Sequence, residues 1–165
     1  MKYKYSIIND NKSNVKNNLL KDLIDNYDSI EFYYNDYGKP YIKNSDIYFN
    51  VSHSFLYVIA VVSEKEIGID IENIRPVYDE LIDFIATKKE KEYIYSKDVD
   101  KETRVFEIYT LKEAYFKMLG TGIQDFKSIE FTIKNNKVTC SDKNINAYIY
   151  YDIDGYDFSI CEKNC

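Results

Sequence analysis

The 165 residues carry a formal charge of −6, and 45% are apolar, including 18 tyrosines and 9 phenylalanines. That length suits one compact domain with a sizeable core, and that composition excludes a disordered chain. The acidic balance argues against a generic nucleic-acid binder, and the longest apolar run, residues 55–62, is too short to cross a bilayer as a helix.

In chain order, residues 2–8 (KYKYSII) alternate like a strand, and residues 13–27 repeat Val15, Leu19, Leu23 and Tyr27 at helical spacing behind a Ser13 or Asn14 cap. Residues 30–42 read as a short strand running into a turn at Gly38-Lys39-Pro40. Residues 46–51 and 55–62 read as strands interrupted by Ser52-His53-Ser54, followed by a strand at 67–72 (IGIDIE) that Arg75-Pro76 ends. Residues 77–96 give helical segments, and 101–122 the longest helix candidate, stopped by Gly120 and Gly122. The remainder is strand-like, with a hairpin turn at Asn135-Asn136. Strands and helices in blocks predict an α+β fold. The start of the chain shows no signal core, and Cys140, Cys161 and Cys165 form neither a CxxC pair nor an even framework, so reduced thiols in a soluble, cytoplasmic protein are expected.

In the strand at 67–72, Ile67, Ile69 and Ile71 point to one face, and Gly68, Asp70 and Glu72 to the other. Asp70 and Glu72 are either a solvated strand face or a pair of oxygen ligands for one hard cation, with Gly68 leaving room beside them. On the long helix, Ile108, Leu111, Tyr115, Met118 and Leu119 gather on a core face, and Glu113 and Lys117 lie opposite. As an isolated pair, Glu113 and Lys117 would be a surface i,i+4 contact.

Four short elements occur together in order: Gly38-Lys39-Pro40; Asn50-Val51-Ser52-His53-Ser54; Gly68-Ile69-Asp70-Ile71-Glu72; and Lys112-Glu113-Ala114 with Lys117 and Gly120. In these the sequence resembles the 4′-phosphopantetheinyl transferase family, over about half the chain (Gly38 to Ile123), and within it the Sfp-type branch with a shortened N-terminal half. The resemblance implies two pseudo-symmetric α+β halves with antiparallel sheets, here a single unit over 1–165, with a short half at 1–66 and a metal-bearing half at 67–165. It implies transfer of the 4′-phosphopantetheine arm of coenzyme A to a serine of an acyl or peptidyl carrier protein, releasing 3′,5′-ADP. Asp70, Glu72 and Glu113 would hold Mg²⁺, with Mn²⁺ as a substitute. Lys112 and Lys117 would stabilise phosphate charge, and Ser52 and His53 would contact coenzyme A phosphates. Lys39 and Pro40 would line the nucleotide side, and Glu90 would be the general base unless it is a solvated helical residue among lysines. Tyr109 stands where the family usually carries tryptophan. Lys2, Lys4, Lys12 and Lys16 are the N-terminal bases available for the 3′-phosphate, and Arg75 is a possible stand-in. Residues 116–118 and the helix at 87–93 are candidate carrier-docking surfaces, and the chain is expected as a monomer or homodimer. Two other readings are a catalytically weak coenzyme A- or carrier-binding module and an unrelated metal-dependent phosphohydrolase.

Overall fold

The structure is a computed structural model that describes residues 1–9, 11–96, 100–122, 124–135 and 137–164. Ile123, Asn136 and Cys165, named above as the end of the resemblance, in a hairpin turn and as a thiol, lie outside the described residues.

The chain passes twice through one pattern: strand, helix, hairpin, strand, strand. The first pass is β1 (Lys2–Ile7), α1 (Lys12–Leu23), the hairpin β2 (Phe32–Tyr34) and β3 (Pro40–Ile42), then β4 (Tyr48–Ser54) and β5 (Tyr57–Ser63). The second is β6 (Ile67–Asn73), the helices α2 (Asp79–Ile85), α3 (Lys88–Ile94) and α4 (Lys101–Leu119), the hairpin β7 (Phe131–Lys134) and β8 (Lys137–Cys140), then β9 (Ile145–Tyr150) and β10 (Tyr156–Lys163). The sheets are ordered β1-β5-β4 and β6-β10-β9, so in each half the last strand is central and every pairing is antiparallel. These are the two pseudo-symmetric α+β halves that the resemblance implied.

Side-chain alternation stacks the halves. On β5, Val58, Ala60 and Val62 pack under α1, while Ile59 and Val61 face Ile67, Ile69, Ile71, Phe158 and Ile160 of the other sheet. A strand covered on both faces has no polar alternation, which is why 57–62 reads as a continuous apolar run. The opposite face of β6 meets α4. A Cβ on Gly68 would stand 2.1 Å from the Ala114 carbonyl oxygen and 2.3 Å from the Met118 nitrogen, so only glycine lets helix and strand approach this closely.

Several expectations change. The α1 cap is Asn11, whose side chain accepts from the Ser13 amide, and Tyr27 falls in a separate 3₁₀ turn at Tyr27–Ser29. Ser52-His53-Ser54 do not interrupt the strands but belong to β4, and the turn is at Phe55-Leu56. On α4, Ile108, Leu111 and Met118 are buried as expected, but Leu119 is exposed at the helix end and Glu113 is buried. Wedged between a sheet and the layer of α2, α3 and β7, this helix has no long solvent-facing stripe.

Candidate active site

Where the halves meet, β4 and β6 run side by side without a backbone ladder. Asn50 Oδ1 instead accepts from the Ile69 amide (3.1 Å), Ser52 Oγ from Ile71 (3.4 Å) and Ser54 Oγ from Asn73 (3.1 Å). Side chains spaced by two on β4 thus satisfy amides spaced by two on β6, and an unpaired edge becomes a seam. The serines then donate onward. Ser52 Oγ binds Asp70 Oδ1 at 2.8 Å and Ser54 Oγ binds Glu72 Oε2 at 2.9 Å. Asn50 and Ser54 therefore join the site, and their i,i+2 spacing around Ser52 was the signal for them in the sequence.

The last turns of α4 lie across this seam. Lys117 Nζ donates to Asp70 Oδ1 (2.6 Å) and Ser52 Oγ (3.0 Å). Glu113, one turn earlier, is 8% exposed. Burial raises the Asp70 carboxyl, and Lys117 opposes that shift. Glu113 is raised by burial and then by the charge of Asp70, with a smaller push from Glu72. Three carboxylates thus feel one another around one ammonium, and Asp70 Oδ2 is buried with no hydrogen-bond partner. Among the described residues, no three His, Cys, Asp or Glu side chains converge closely enough to form a metal cluster as they stand. A cleft of about 240 Å³ opens beside them, lined by Tyr37, Gly38, Lys39, Pro40, Glu113 and Lys117 among others.

His53 is exposed, and its Nε2 lies 2.7 Å from Lys12 Nζ at the start of α1. Its pKa is lowered by burial and by Lys12, so at neutral pH the ring accepts from that ammonium. Of the N-terminal lysines named from the sequence, Lys12 is thus brought against the Ser52-His53-Ser54 element. Lys4 is paired with Asp22. Arg75 binds Glu72 at 3.0 Å and lies over the Phe106 ring, and Tyr109 stacks on Phe126 within reach of Glu113.

Four expected site residues have other work. Lys112 is fully buried, donating to the Ile85 and Phe126 carbonyls and pairing with Glu90 at 2.7 Å, so it faces no cleft. Glu90 is neither solvated nor open to a substrate. It is 1% exposed, closes a capping box with Thr87 at the start of α3, and accepts from the Phe131 amide. Ser52 is buried in the seam, with its oxygen already taken up. Lys39 is 7% exposed, and its ammonium turns inward onto the Met118 and Ile67 carbonyls. Of the docking candidates, Phe116 and Met118 are buried core, while Lys89 and Lys91 pair with Glu130 and Asp83.

A family model described as the 4′-phosphopantetheinyl transferase superfamily matches residues 66–161. The chain belongs to this superfamily. Among curated relatives of this transferase family, the chain is 36% identical over 99 residues to "4′-phosphopantetheinyl transferase gsp" of Aneurinibacillus migulanus, covering 58% of this chain and 40% of that one. It is 31% identical over 141 residues to "4′-phosphopantetheinyl transferase Sfp" of Bacillus subtilis, covering 80% of this chain and 62% of that one. The chain thus spans less than two thirds of the length of these two relatives. The crystal structure of a holo-[acyl-carrier-protein] synthase from Thermotoga maritima superposes with a TM-score of 0.52 over 60% of this chain and 62% of the other, at 22% identity, which supports the fold.

Proposed function

We propose that the protein transfers the 4′-phosphopantetheine arm of coenzyme A to a serine hydroxyl of a carrier protein. The observation that carries this reading is the seam itself, where Asp70, Glu72, Glu113 and Lys117 from two elements meet beside a cleft. A pyrophosphate needs its negative charge offset and its oxygens held, and the Lys117 ammonium together with a divalent cation held by the carboxylates would meet both demands.

The donor set also fits Mg²⁺, with Mn²⁺ as a substitute. Asp70, Glu72 and Glu113 offer only oxygens, and the orphaned buried Asp70 Oδ2 is an acceptor without a donor. Bound there, such an ion would neutralise phosphate oxygens and polarise the phosphorus for attack. The protein's own residues do the positioning. Ser52 and Ser54 fix the orientation of the two strand carboxylates, and Lys117 supplies positive charge at the transferring phosphate. Lys12 and His53, exposed and adjacent, offer N–H donors to a phosphate further along coenzyme A, with Pro40 on the cleft wall. Bond making is a displacement at phosphorus: the serine oxygen forms the new P–O bond and gives up its proton to solvent, the pyrophosphate P–O bond breaks, and 3′,5′-ADP leaves. A cytoplasmic setting agrees with the free thiols of Cys140 and Cys161 and with the absence, among the described residues, of a helix long and apolar enough to cross a membrane.

The test mixes protein, Mg²⁺, coenzyme A and an apo carrier protein and weighs the carrier by mass spectrometry. A phosphopantetheine adduct is expected. No adduct across fatty-acid, polyketide and peptide carriers would overturn the reading. Asp70→Ala and Glu113→Ala should each lower transfer about a hundredfold or more while the circular dichroism spectrum is retained. Turnover within a few-fold of the parent in either variant would remove that residue from the site.

A further inference from the structure

The β2–β3 hairpin is fastened to the C-terminal end of α4 by two side chains. Lys39 Nζ donates to the Met118 carbonyl at 2.5 Å and to Ile67 at 3.4 Å, and Asn35 Nδ2 donates to the Gly120 carbonyl at 2.7 Å. The last carbonyls of a helix have no partner within it, and the end carries partial negative charge, so a buried ammonium and an amide donor are suited to it. The seat is tight. A Cβ on Gly120 would lie 2.7 Å from Lys39 Cδ, 3.0 Å from Asn35 Nδ2 and 3.0 Å from the Tyr41 hydroxyl, and Gly120 sits at φ +67°. The Asn35 oxygen also accepts from the Tyr37 and Lys39 amides, so one residue shapes the turn and docks it.

The fastened turn of α4 carries Lys117, next to Met118, and Glu113 one turn earlier. We infer that Lys39 and Asn35 are positioning residues: they lock the end of α4 so that Lys117 and Glu113 meet the seam, with the stem of Lys39 on the cleft wall and its ammonium bound to helix and strand carbonyls rather than to a phosphate. This differs from the nucleotide-side role expected for Lys39 from the sequence, and it rests on the transfer reading above for its kinetic arm only. Burial lowers the Lys39 pKa to about 8, in keeping with an amine held away from solvent.

Two variants test it. Lys39→Met keeps the stem and removes the ammonium. Asn35→Asp removes the amide donor and keeps the oxygen that shapes the turn. Each variant should lower kcat for carrier modification about ten- to a hundredfold, keep the coenzyme A Kd by calorimetry within about twofold, and speed amide exchange in the last turn of α4 about tenfold. A Lys39→Met variant whose coenzyme A Kd rises about tenfold or more while exchange at α4 stays unchanged would overturn the inference. Unchanged exchange and kcat in both variants would also overturn it. If Lys39→Met fails to fold, Asn35→Asp decides alone by the same readouts. If the parent protein modifies no carrier, the transfer reading falls, while the exchange arm still decides the latch: faster exchange supports it and unchanged exchange ends it.

Discussion

Lys112 and Glu90 form an ion pair with both side chains at 0% exposure. Each has its remaining valences filled, Lys112 by two carbonyls and Glu90 by the amides of Thr87 and Phe131. Such a pair adds little over a well-packed apolar pair, but breaking it strands a charge. Lys112→Met should therefore destabilise the fold by about 3–5 kcal/mol, read by urea unfolding at neutral pH. Adding Glu90→Leu should return much of that loss, since no charge is then left unpaired. A single variant as stable as the parent would show that Glu90 finds solvent. Lys112 of the KEA motif and Glu90 upstream of it were visible in the sequence, but burial decides that they brace α2, α3 and α4 and turn away from the cleft. The opposite holds for Lys12, which no motif marked and which the fold brings to His53.

At the scale of elements, the site depends on how closely α4 approaches β6. The Gly68 contact is with backbone atoms, which cannot rotate away as a side chain can. Gly68→Ala should cost about 1–3 kcal/mol or more, seen as a lower Tm, and should reduce transfer out of proportion to stability because α4 carries Lys117 and Glu113. A variant with parental Tm would mean that the helix shifts freely. Element types were legible because each rests on local signals: period-two alternation in β1 and β6, helical spacing in α1, and Gly120 closing α4 in a left-handed conformation. That α4 is enclosed nearly all round was not, since helical spacing shows which side is apolar and not how many neighbours surround the helix.

Across the whole molecule, partly buried tyrosines that lie against carboxylates set the response to alkali. Tyr3 and Tyr115 are pushed up to about 12, and Tyr93, Tyr109 and Tyr151 are raised further. Burial is the first cause in each case, followed by a neighbouring carboxylate: Asp152, Asp142, Glu107, Glu113 and Glu107 respectively. An unfolded tyrosine loses its proton near pH ~10. These groups therefore contribute stability that is fully present below that pH and is lost as the pH climbs through the folded values. Thermal melts from pH 9 to 12 should show Tm falling steeply above pH ~10, with tyrosinate absorbance rising in step with unfolding. Tyrosinate appearing in full before any loss of fold would contradict this. Asp157 acts with the same sign at lower pH. Burial and the charge of Glu107 hold it at about 7, so its contribution is present in acid and lost toward neutrality.

The sequence by itself determined the element types, the α+β class, the family resemblance and the pairing of Asp70 and Glu72 on one strand face, because all of these follow from residue order and spacing. The fold alone decided which motif residues face the cleft. Lys112 and Glu90 carry the same charges as the residues that line it, and Lys39 does line it, but packing turns all three charged groups inward. It also decided why Asp70 and Glu72, which could as well have lined a solvated strand, are held in place. The serines of β4 reach across the seam to them, and that contact joins residues 18 apart in sequence.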